Sequence, residues 1–65
     1  MNKQLTNDDI WDMYANQADV ELLATQSVEQ IKNDLREIDP ALPDYKAWLY
    51  AGIIHGMAIE ISKQQ

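Results

Sequence analysis

Thirteen consecutive residues, from Ala47 to Ile59, carry no formal charge: Ala47-Trp48-Leu49-Tyr50-Ala51-Gly52-Ile53-Ile54-His55-Gly56-Met57-Ala58-Ile59. Wound as a helix, this stretch has no polar face, and only His55 interrupts it. A helix that is apolar on every side must be covered on every side. In a large protein the rest of the fold supplies that cover. Here the whole chain has 65 residues. As a helix the stretch would span on the order of 20 Å, short of the ~30 Å hydrocarbon layer of a membrane, so burial against protein is the expectation.

A chain of this length allows one domain, residues 1–65, and buries only roughly 60% of its unfolded surface, so stability is marginal. Such scaffolds are usually held by a disulfide, a metal or a partner. There is no cysteine and one histidine. Disulfides, thiolate metal sites and multi-histidine metal sites are therefore excluded. Association with another chain is the remaining device, and a second copy is its simplest form.

The carboxylates number 11 against five basic residues, for a net charge of −6. Lys3, Lys32, Arg36, Lys46 and Lys63 are scattered, and only Lys32 and Arg36 can share a helical face. Phosphate backbones require clustered cations, so neither direct nucleic-acid binding nor anionic membrane binding is expected. The N-terminus, Met1-Asn2-Lys3-Gln4, has no apolar segment of signal-peptide type behind it. A cytoplasmic location is the default expectation.

The first helix is well signalled. Thr6 is a favourable N-cap, Asp9 stands three residues on as its capping-box partner, and Leu5 with Ile10 suits a hydrophobic staple. Asp8, Asp9 and Asp12 complement the helix dipole. This predicts a helix over about residues 7–16, with a possible break at Asn16 to Asp19. Val20, Leu23, Ala24, Val28, Ile31, Leu35 and Ile38 then recur at steps of three and four, which predicts one helix over about 18–37. A restart at Ser27, which forms a capping-box pattern with Gln30, is the alternative. Pro40 and Pro43 bias Asp39 and Leu42 away from helical angles and mark a loop over 38–44. A final helix is expected over about 43–63. The fold class is thus all-α: a helical hairpin or three-helix unit, assembled as a homodimeric helical bundle.

Gly52 and Gly56 lie four residues apart on one face of the final helix. Each costs about 1 kcal/mol relative to alanine in a helix interior, which suggests an offsetting close approach by another backbone. That backbone belongs either to helix 2 of the same chain, to a second copy, or to a foreign partner. The self-association reading places Trp48, Leu49, Gly52, Ile53, Gly56 and Met57 at the interface. Trp11, Tyr14, Tyr45, Trp48 and Tyr50 lack the interleaved cations of a base-stacking surface and are expected as core or interface anchors. His55 has no nucleophile or orienting carboxylate near it, and either a half-buried side chain with one hydrogen bond or a solvent-facing residue at the gap in the apolar run is expected in place of a switch or general base.

No catalytic, metal-binding or cofactor-binding motif is present in the sequence, and no enzyme or cofactor is expected. The leading expectation is a small acidic protein-binding regulator or accessory factor acting as a homodimer. The alternative rests on Asp8, Asp9, Asp12, Asp19 and Glu21, which occur with no basic residue between them. Such a patch suits an immunity-like or DNA-mimicking inhibitor that covers a basic protein surface. A third reading, a DNA-binding dimer that brings together Lys32 and Arg36 of two chains, requires a DNA shift with a negative salt slope.

Overall fold

The computed structural model describes residues 5–64; Met1 to Gln4, read above for a leader, lie outside them, as does Gln65. The described residues form four helices and no strand: α1 (Asn7–Tyr14), α2 (Val20–Thr25), α3 (Val28–Ile38) and α4 (Asp44–Lys63). The all-α class holds, but the count of two or three helices does not.

The predicted start of α1 is present in full. Asp9 N–H donates to Thr6 Oγ1 at 3.1 Å, and Thr6 N–H donates to Asp9 Oδ2 at 3.0 Å. Two of the orphan N–H groups of the helix start are thereby satisfied. Leu5 stays exposed, while Ile10 is buried. The helix ends at Tyr14, two residues before the expected Asn16, and Ala15 at the C-cap is itself buried. The break after it is real. Asp19 caps α2, its Oδ1 accepting from the N–H of Glu21 and of Leu22.

The single helix expected over 18–37 is corrected. It is two helices, because Gln26 (ψ 154°) and Ser27 (ψ 156°) adopt extended angles. Ser27 Oγ then accepts from Gln30 N–H at 3.1 Å and starts α3, which is the restart weighed as the alternative. The apolar stripe had concealed this break. Leu23, Ile31 and Leu35 are all buried, so both short helices turn the same face inward although the axis is interrupted. Ile38, the last member of the stripe, is 61% exposed, and Leu42 in the loop is buried.

The loop at Asp39 to Pro43 is as expected. Leu42 N–H donates to the Asp39 carbonyl, and Asp39 Oδ1 accepts from Ala41 N–H at 3.3 Å. Pro43 is the N-cap of α4, so that helix begins at Asp44, one residue later than predicted. The α3–α4 corner is clamped by charge. Asp44 lies 3.7 Å from Lys32 and 3.4 Å from Arg36, and the Lys32 ammonium sits 4.8 Å from the centre of the Trp48 ring. The two cations of the DNA-binding reading are thus both engaged within the chain.

α4 is the hub, since the substantial contacts between elements are those of α1, α2 and α3 with α4. Its inward face is Ala47, Tyr50, Ala51, Ile54 and Ala58, at steps of three and four. Ala47, Ala51 and Ala58 have no exposed surface at all. These small side chains let three helices come close to one axis. Tyr50 meets Tyr14 of α1 with ring centroids 6.0 Å apart, within the range of favourable aromatic pairing.

The outer face of the last helix as a candidate docking surface

The face of α4 opposite those alanines is also apolar, and it is open. Tyr45 is 68% exposed, Leu49 58% and Trp48 42%. Gly52 and Gly56 are exposed, and Ile53, Met57 and Ile59 are half-buried. All six residues assigned to self-association, Trp48, Leu49, Gly52, Ile53, Gly56 and Met57, therefore lie on or beside the outward side of the helix. Tyr45, expected above as a core or interface anchor, and Ile59 lie on the same side and extend the same spacing of three and four.

The glycines do not mark a crossing within the chain. Among the described residues, a methyl group placed at either position meets nothing within 4 Å apart from its own helix and chain neighbours. The reading in which helix 2 rests on Gly52 and Gly56 is excluded, because the intramolecular approach is made by the alanines. What the glycines create is a groove of about 520 Å³ lined by Asn7, Gly52, Ile53, Gly56, Met57, Glu60 and Ile61. Its volume falls in the range of ligand sites, but it is a trough open to solvent and not an enclosed pocket. Its walls are mostly aliphatic, with one carboxylate and one amide at its edges.

Charge sets this helix apart. Its two acids, Asp44 and Glu60, are matched by Lys46 and Lys63, so the whole net charge of −6 resides elsewhere in the chain. An apolar, charge-balanced face on an otherwise acidic molecule offers no long-range repulsion of its own to another copy.

His55 lies at the border between the two faces. Its Nδ1 is 2.9 Å from the Leu23 carbonyl and, since a carbonyl only accepts, donates to it. Leu23 is in the last turn of α2, where carbonyls lack helical partners. The half-buried histidine with one hydrogen bond is what the structure has, and its role is to tie the end of α2 to α4.

The acidic residues divide between two helix starts. Asp8, Asp9 and Asp12 are on α1, while Asp19 and Glu21 are at the head of α2. Asp9 and Asp19 act as caps; Asp8, Asp12 and Glu21 are exposed. Tyr14 donates to Asp39 Oδ2 over a long 3.3 Å. Burial, then the adjacent Asp39 charge and its hydrogen bond, push the Tyr14 phenol above its ordinary range. Among the described residues no cluster of three His or acidic side chains could hold a metal ion, and no helix is long and apolar enough to cross a membrane.

Compared with known protein families, curated proteins and solved structures, the chain matches none.

Proposed function

We propose that this chain is a non-enzymatic protein-binding regulator or accessory factor that works as a homodimer joined through the outer face of α4. One observation carries the reading: two glycines stand in the interior of the longest helix, and among the described residues no atom beyond their own helix and chain neighbours lies within 4 Å of a methyl group placed there. Each lowers helix stability by about 1 kcal/mol relative to alanine, in a domain with only a few kcal/mol to spare. Among the described residues no packing offsets that cost. A second helix seated on the glycines would offset it, and would cover Leu49, Trp48 and Tyr45 as well.

The test is the solution mass over a range of concentrations, by light scattering. A mass rising to twice the 7.5 kDa of the chain supports the reading. Gly52→Leu and Gly56→Leu should both hold the protein at the monomer mass while leaving its helix content intact. A monomer at every concentration overturns the homodimer.

A second reading rests on the exposure of Asp8, Asp12 and Glu21. In it, the acidic part of the molecule covers a basic surface of a target protein. Salt separates the two contacts. Binding to a basic target weakens steeply as salt rises, whereas association of two acidic chains through an apolar face does not.

A further inference from the structure

The outer face of α4 has an order that selects one way of docking. Tyr45, Leu49, Gly52, Gly56, Ile59 and Lys63 follow one another at steps of four, three, four, three and four. That is the 3.5-residue period of a coiled-coil seam. The sizes along it are palindromic at the centre: a branched aliphatic, two glycines, a branched aliphatic. Read backwards, Leu49 falls on Ile59 and Gly52 on Gly56.

From this we infer that two copies join antiparallel, about a two-fold axis near Ile53 and Ile54, so that each α4 lies in the glycine notch of the other. This rests on the docking reading above and specifies its partner geometry. In that register Leu49 layers on the partner's Ile59, and Gly52 layers on the partner's Gly56. Each layer occurs twice, as a closed two-fold interface requires.

Charge decides against the parallel arrangement. Lys46, Ile53 and Glu60 are spaced seven apart and form one flank of the seam. Antiparallel docking sets Lys46 against the partner's Glu60 at both ends and Ile53 against the partner's Ile53 at the axis. It also sets Lys63 beside the partner's Tyr45, whereas parallel docking would put Lys63 against the partner's Lys63. Antiparallel helix dipoles add to the preference. The groove lined by Gly52, Ile53, Gly56 and Glu60 opens on this same flank. The partner's Ile53 therefore has an apolar space to enter.

The absence of native cysteine makes the register directly readable. Single-cysteine variants Leu49→Cys and Ile59→Cys, both outside the fully buried core, are treated with a short bismaleimide, separately and as an equimolar mixture. The mixture should cross-link strongly and each variant alone should not. Strong cross-linking of Leu49→Cys by itself overturns the antiparallel register. So does a dimer mass with no cross-link in any combination. A monomer mass for the unmodified protein instead overturns the parent reading, so the two failures are distinguishable.

Charge exchange gives an independent check. Lys46→Glu and Glu60→Lys, both at exposed positions, should each weaken the dimer by about three- to tenfold, and the double exchange should restore it. No recovery in the double variant, with both single variants folded, also overturns the register.

Discussion

The two sides of α4 are built from small residues, yet they face opposite environments. On the inner side Ala47, Ala51 and Ala58 are fully enclosed by α1, α2 and α3. On the outer side Gly52 and Gly56 meet nothing beyond their own helix among the described residues. Alanine permits close approach and is also the best helix former, so the inner side gains packing without loss of helix stability. Glycine permits a closer approach at a cost, and among the described residues nothing approaches. The difference teaches that small size alone does not identify a contact. The contact is identified by which small residues are enclosed, and an open glycine pair points outside the chain for its explanation.

The largest expected effect tests the inner side. Ala51→Leu forces a branched side chain into a site with no exposed surface, and should cost about 1–3 kcal/mol, a large part of the stability of so small a domain. Urea denaturation would show it as a lowered midpoint. The same change one residue later, Gly52→Leu, should do the opposite in the monomer. It meets no neighbour among the described residues and improves helix propensity, so dilute samples should be more stable by up to about 1 kcal/mol, while the proposed dimer should be lost. If Ala51→Leu and Gly52→Leu destabilise dilute protein equally, the two faces are not distinct in the way described.

A smaller effect is expected at the border between the faces. His55→Ala removes the donor to the Leu23 carbonyl and should cost about 1 kcal/mol, with α2 loosening ahead of α3 in hydrogen exchange. Equal protection of both helices in the variant would remove the role given to His55.

The smallest effect concerns Tyr14 on the inner side. Its phenol titrates higher in the folded chain than in the unfolded one, so the folded state favours the protonated form. That contribution is complete below the unfolded value of about 10 and is lost as pH rises through the folded value. Tyr14→Phe should cost less than about 1 kcal/mol at neutral pH, given the long hydrogen bond, and should flatten the alkaline loss of stability. Paired urea titrations at pH 8 and above 10 would check it.

Much of the architecture was legible because its signals are local. Thr6 with Asp9, and Pro40 with Pro43, act through neighbouring backbone groups, and the structure places boundaries within two residues of where they predict. The division of α2 from α3 was obscured because periodicity reports which face turns inward and not whether one axis runs through. The local signal, Ser27 with Gln30, was the better guide. The environment of the glycines was not legible at all. With both sides of α4 apolar, the sequence does not say which side the other helices choose. The choice follows from Ala47, Ala51 and Ala58 lying with Tyr50 and Ile54, where small and large side chains alternate to receive three partners. Contacts between distant segments, such as Lys32 over Trp48 and His55 at Leu23, follow only once that choice is made.

The arrangement of three helices around one has a consequence for how the molecule comes into being. α1, α2 and α3 contain 8, 6 and 11 residues, each below the roughly 12–15 at which an isolated helix becomes even marginal in water. Their substantial contacts are with α4 and not with one another, and α4 follows them in the order of translation. During synthesis the first three segments have their caps but not yet the helix on which the structure packs them. Ordering of α1, α2 and α3 should therefore wait on α4, and hydrogen exchange should show all three losing protection together when α4 is destabilised.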